Sequence, residues 1–144
     1  MHHLLLADDD IDDCVFFKDA LEDLPIPATL TTVHDGVQLM NFLSSTSDHL
    51  PSALFLDMNM PRKSGFECLS EIKRIDKLKK LPVIIFSTSF NSEVVDLLYE
   101  KGAHYYIRKP GEYKDLKKII LEVITLTSGS DLPQPARDKF ILHP

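Results

Sequence analysis

An α/β fold, built as a doubly wound five-stranded parallel sheet with helices on both faces, is predicted by two features of this sequence. Short apolar runs rich in branched side chains alternate with longer segments whose apolar residues recur at helical spacing. Four of the runs end in polar residues: Asp8 and Asp9 after LLLA, Asp57 after ALFL, Ser87 after VIIF and Lys109 after YYIR. Such runs read as strands buried on both faces, and their alternation with helices over short connections indicates βαβ units. In a parallel sheet the carboxyl ends share one edge, and ligands bind outside that edge where the strand order reverses. Three carboxylates, a hydroxyl and an ammonium are therefore expected to meet in one pocket.

Taken in order, a strand near residues 3–8 leads to a helix near 11–23, which Pro25 and Pro27 terminate. A strand near 28–33 is followed by the turn Asp35-Gly36 and a helix near 36–47. The most uniformly apolar strand, near 52–57, runs through Met58-Asn59-Met60-Pro61 into a loop and a helix near 64–75. A strand near 82–87 precedes a helix near 91–101 with Gly102 as its C-cap, and a strand near 104–108 precedes a helix near 112–127. That last helix repeats Leu116, Ile119, Ile120, Val123, Ile124 and Leu126 on one face. One folded domain over residues 1–127 is expected, followed by a tail over 128–144 whose three prolines and one glycine exclude a continued helix. The tail reads as a frayed terminus, with Phe140, Ile141 and Leu142 as the residues able to dock on the domain or on a partner.

At 144 residues the chain has room for one domain with a substantial core and little room for a second. A net charge of −6 opposes nucleic-acid binding, and the basic group Lys73, Arg74, Lys77, Lys79 and Lys80 reads as a solvated helix end. No apolar run approaches the roughly 18 residues that cross a bilayer, and LLLA is too short for a signal-peptide core, so a cytoplasmic protein without membrane association is expected. Cys14 and Cys68 stand alone and read as reduced, buried residues. The histidines, at positions 2, 3, 34, 49, 104 and 143, lack metal-ligand spacing and fall at the first strand, loops or chain ends. No glycine-rich phosphate loop is present, so nucleotide binding has no support.

Asp8, Asp9 and Asp57 would repel one another in a partly enclosed pocket, and the cluster needs a cation to remain ionised. Hard carboxylate oxygens without Cys or His favour Mg²⁺, which binds through one or two carboxylates together with phosphate oxygens. Lys109 and the Ser87 hydroxyl suit the remaining phosphoryl oxygens. Asp57, alone at its strand tip, is the candidate nucleophile, whereas the pair Asp8 and Asp9 suits the metal. The plainer alternative, that each acid only caps the following helix, accounts poorly for polar residues closing four strands.

LLLADDD, LFLDMNMPRKSG, IIFSTS and YYIRKP, in this order, resemble the receiver domain of two-component response regulators over roughly residues 2–127. The resemblance implies the flavodoxin-like strand order 2-1-3-4-5 and phosphoryl transfer to Asp57 from a sensor histidine kinase or histidine phosphotransfer protein. It further implies Mg²⁺ held by Asp8, Asp9, Asp57 and the Asn59 carbonyl, with Asp9 the more direct ligand. Ser87 would bond the phosphoryl group with small Thr88 beside it, Lys109 would pair with the phosphate, and the bond to Pro110 would be cis. Tyr106 matches the switch aromatic, and its plain reading is a half-buried strand tyrosine. Phosphorylation would bias the fourth helix, fifth strand and fifth helix between two arrangements, altering a surface for a downstream protein and for possible homodimerisation.

The implied activity is that of a phosphoacceptor and not an enzyme, with self-catalysed phosphorylation and dephosphorylation. Asp10, Asp12 and Asp13 extend the acidic run, and Thr88 and Ser89 flank the hydroxyl position. FSTS and the SSTSDHLPS loop resemble receivers paired with phytochrome-type or hybrid kinases. A phosphate intermediary would use the same pocket. A haloacid-dehalogenase-like phosphatase would need a second acid two residues after Asp57, where Asn59 stands.

Overall fold

Strand β1 (His2–Ala7) is all apolar from Leu4 onward, and it lies inside the sheet between β2 (Ala28–Val33) and β3 (Ala53–Leu56). The computed structural model describes residues 2–46, 49–129 and 132–144. Beyond β3 come β4 (Val83–Ser87), β5 (Tyr105–Arg108) and β6 (Ile141–Leu142), giving a parallel sheet in the order β2-β1-β3-β4-β5-β6.

The two-residue period of a strand sends alternate side chains into two separate cores. Leu5, Ala7, Leu54, Leu56, Val83 and Ile85 pack against α2 (Gly36–Ser45), α3 (Gly65–Arg74) and α4 (Ser92–Glu100). Leu4, Leu6, Ala53, Phe55, Ile84 and Phe86 pack against α1 (Ile11–Glu22) and α5 (Tyr113–Leu126). Phe17, Phe55 and Phe86 form an edge-on aromatic trio with centroids 4.8–5.9 Å apart beneath the carboxyl edge. Each such buried ring contributes about 1.5–3 kcal/mol by leaving water, and the trio fixes α1 against β3 and β4.

Polar caps set the helix starts. Asp10, Asp35, Ser64 and Asn91 accept backbone N–H groups at the heads of α1, α2, α3 and α4, and Ser64 forms a reciprocal box with Glu67. Asp10, not Asp8 or Asp9, is thus the capping residue of the acidic run. His104, read from sequence as a loop residue, is buried just ahead of β5.

The expected five-stranded sheet is corrected to six strands, and the added one comes from the segment read as a frayed tail. Tyr106 pairs with Ile141 and Ile107 with Leu142, while the Tyr106 N–H donates to the Phe140 carbonyl at 3.0 Å. Phe140 is fully buried, with its ring 5.1 Å from Tyr99 and 6.4 Å from Tyr106. Tyr99 donates to the Pro135 carbonyl at 2.7 Å, Gln134 donates to the Tyr99 and Ala103 carbonyls, and Arg137 pairs with Asp96 of α4 at 2.7 Å. The outer edge of β5 offers unpaired backbone groups and an apolar gap, and this segment fills both.

Candidate functional site

The register explains why distant residues meet. Ala7 of β1 is paired with Leu56 of β3, so Asp8 and Asp57 each emerge one residue beyond the same rung. Their backbones remain tied to the sheet, with Asp8 N–H on the Val33 carbonyl and Asp57 N–H on the Ala7 carbonyl, both at 3.0 Å. The strand order reverses between β1 and β3, which is the place where this sheet type binds ligands. On the other side, Ser87 is opposite Arg108, and the Lys109 N–H reaches the Ser87 carbonyl at 2.8 Å.

One carboxylate oxygen from each of Asp8, Asp9 and Asp57 lies within 4.8 Å of the others, with Asp8 and Asp57 buried and Asp9 exposed. Lys109 Nζ enters this group 2.7 Å from Asp8 Oδ2, 2.9 Å from Asp13 Oδ2 and 3.8 Å from Asp57 Oδ2, and it lies 5.6 Å from the Phe86 ring centre. Asp8 Oδ1 accepts the Asp10 N–H, whereas Asp8 Oδ2 is buried without a hydrogen bond despite its close charge contact with Lys109. Burial pushes the Asp57 carboxyl up to about 6; Lys109 opposes this, Asp8 adds to it, and the Asn59 N–H at 3.4 Å opposes it. Burial works against the Lys109 ammonium, yet Asp8, Asp13 and Asp57 outweigh it and hold the lysine above its ordinary pKa.

The hydroxyl and aromatic candidates both meet Ser89. Ser87 Oγ lies 3.3 Å from Ser89 Oγ and accepts the Ser89 N–H at 3.3 Å. Tyr106 is buried, not half-buried, and its hydroxyl donates to the Ser89 carbonyl while the Phe90 and Phe140 rings flank it. Gly65 is required by close approach: an added Cβ would sit 2.1 Å from the Asp57 carbonyl oxygen. The implied cis bond to Pro110 is corrected, since the described residues contain no cis peptide bond and this bond takes the ordinary trans form. Sequence reasoning shows Asp13 only as added charge, and its position one helical turn beyond Asp9 is the available signal.

The family model for the response regulator receiver domain matches residues 4–121. This chain belongs to that family. The receiver is similar to Response regulator Rcp1 of Synechocystis, 33% identical over 137 residues, covering 88% of this chain and 93% of Rcp1. It is also 32% identical to Two-component response regulator ORR12 of Oryza sativa subsp. japonica, over 82% of this chain and 94% of ORR12. Among solved structures, the Mn²⁺-bound form of Rcp1 gives a TM-score of 0.78 at 30% identity, covering 94% of the receiver and all of that chain. The phosphorylated cyanobacterial phytochrome response regulator RcpA gives 0.80 at 29%, covering 90% of the receiver and 96% of that chain. The receiver is a response regulator of two-component signalling, with a CheY-like fold. None of its described helices is long and apolar enough to cross a membrane.

Proposed function

We propose that the receiver accepts a phosphoryl group on Asp57 from a sensor histidine kinase or histidine phosphotransfer protein, with Mg²⁺, and so switches a partner-binding surface. The observation that carries this reading is the buried Asp8 and Asp57 pair facing one ammonium at the switch point of the sheet. Asp8 Oδ2, fully buried and balanced only by the Lys109 ammonium at 2.7 Å, is a hard oxygen suited to a small divalent cation. Asp8, Asp9, Asp57 and the Asn59 carbonyl would hold Mg²⁺, which when bound neutralises charge on the phosphoryl oxygens.

The chain's own residues do the rest. An Asp57 carboxylate oxygen forms the new bond to phosphorus as the donor's phosphorus–nitrogen bond breaks and the imidazole nitrogen keeps the electron pair. Lys109 pairs with a phosphoryl oxygen, and the Ser87 hydroxyl exchanges Ser89 for another. Loss of that Ser87–Ser89 contact would be felt by Tyr106, whose hydroxyl rests on the Ser89 carbonyl. Attack of water on the phosphorus of the acyl phosphate returns the Asp57 carboxylate and releases inorganic phosphate, and the chain's own site serves both phosphorylation and dephosphorylation.

The switched surface comprises α4, β5 and α5 together with the β6 segment laid on the outer edge of β5, and it serves a downstream protein or a second copy of the chain in the cytoplasm. A phytochrome-type kinase as donor is supported by the FSTS run and by the likeness to RcpA. Ser47 and Asp48 of the SSTSDHLPS loop lie outside the described residues. Acetyl phosphate with Mg²⁺ should label the chain, and Asp57→Asn should abolish the label; label persisting in that variant refutes the assignment. A protein retained by the beryllofluoride and Mg²⁺ form, and not by the unmodified form, would identify the output.

A further inference from the structure

We propose that Asp13 is a positioning residue for the phosphoryl-transfer reaction, tethering the Lys109 ammonium toward α1 until a phosphoryl group draws it to Asp57. This rests on the function proposed above.

The tether follows from how α1 begins. Asp10 Oδ1 accepts the Asp13 N–H at 3.1 Å, so Asp13 is the third residue of the helix. An acidic side chain at that place ordinarily turns back to the N-cap N–H. Here that N–H is taken by Asp8 Oδ1 at 3.0 Å, and the Asp13 carboxylate turns to Lys109 instead. Its contact, 2.9 Å from Nζ, is a hydrogen bond that holds the ammonium from the side of α1, while Asp8 Oδ2 holds it at 2.7 Å from the end of β1. The Asp57 oxygen, where the phosphoryl group is to arrive, is the farthest of the three at 3.8 Å.

Competition decides the consequence. The Lys109 side chain is only 10% exposed and is confined to the pocket, while Asp13 is 36% exposed and partly solvated. Solvent weakens the tether enough for a phosphoryl group, which carries more charge and three acceptor oxygens, to take the ammonium over. Until then each transfer to Asp57 must release Lys109 from Asp13. Removing the tether should therefore speed phosphoryl capture.

The test is the initial rate of labelling by acetyl phosphate with Mg²⁺, in which the acyl oxygen–phosphorus bond breaks, acetate leaves and Asp57 gains the phosphoryl group. Asp13→Asn should label about fivefold faster than the parent, equivalent to about 1 kcal/mol at 1.36 kcal/mol per tenfold. Asp13→Ala should agree in direction. Asp12→Asn removes the same charge from an exposed neighbour on the helix and should leave the rate unchanged. The tether is also read directly: the Lys109 ammonium protons, followed by nitrogen-15 NMR, should exchange with water faster in Asp13→Asn. An unaltered labelling rate, unaltered proton exchange, or an equal gain in Asp12→Asn overturns the proposal. Asp57→Asn separates two failures, because label surviving there overturns the phosphoacceptor assignment, whereas its loss beside an unaltered Asp13→Asn overturns the tether alone.

Discussion

Replacing His104 by asparagine should flatten the pH dependence of folding stability between pH 7 and 5. His104 Nδ1 accepts the Val83 N–H at 3.1 Å, and its own backbone N–H donates to the Val83 carbonyl at 2.9 Å. A proton on Nδ1 would oppose the Val83 donor. Burial first, and then the nearby Lys73 cation, bring the imidazole from 6.5 down to about 4, with the Leu132 backbone pulling the other way. Between these two values the unfolded chain binds more protons than the folded chain, so stability is full above pH 6.5 and is lost as pH falls toward 4. The whole gap corresponds to about 3 kcal/mol, of which about 2 kcal/mol falls between pH 7 and 5. The asparagine side chain would keep an oxygen near the Nδ1 position and has no proton to gain. Urea unfolding followed by far-ultraviolet circular dichroism at each pH measures the difference, about 1 M in midpoint for an ordinary denaturant slope. The opposite trend from the raised Asp57 is present in both proteins and cancels. Equal loss of stability in parent and variant would refute the neutral, Val83-bonded imidazole.

Other perturbations test the site and its support. Lys109→Ala leaves Asp8, Asp13 and Asp57 facing one another and should cost about 3–5 kcal/mol without metal; Mg²⁺ should then raise the melting temperature of the variant more than that of the parent. Phe140→Ala opens the contact with Tyr99 and Tyr106 and should cost about 3–5 kcal/mol in urea unfolding. The Tyr106 amide, which donates to the Phe140 carbonyl, should also lose protection from hydrogen exchange, and continued protection would count against a docked β6. Gly65→Ala pushes a methyl group against the Asp57 carbonyl and should cost about 1–3 kcal/mol and slow labelling by acetyl phosphate; a rate equal to the parent's would show that the loop yields without moving the carboxylate.

The site was legible in the sequence wherever a polar residue interrupts an apolar run, because the parallel fold converts that one-dimensional break into a place on the carboxyl edge. Asp8, Asp57 and Lys109 meet for this reason, and their meeting depends on backbone register. Ser87 was placed correctly at the edge, but sequence could not show that its hydroxyl is engaged by Ser89 and not by the acids, since a rotamer leaves no periodic trace. The same limit hid the buried pose of Tyr106 and the buried ring of His104.

Two misses have a common physical origin: a partner distant in sequence chooses between equal local options. Asp13 at the third helical position could have turned back to the N-cap, and only the prior claim of Asp8 on that N–H sends it to Lys109, 96 residues away. Ile141 and Leu142 form a strand too short to show alternation, and the prolines before them suggest a loose end. What orders them is an open strand edge and an apolar gap between Tyr99 and Tyr106 that Phe140 fills. In both cases the deciding group is an unsatisfied donor, acceptor or cavity made by the rest of the fold. Residues of this kind are found by asking where each buried polar group and each strand edge obtains its partner, a question that composition and periodicity leave open.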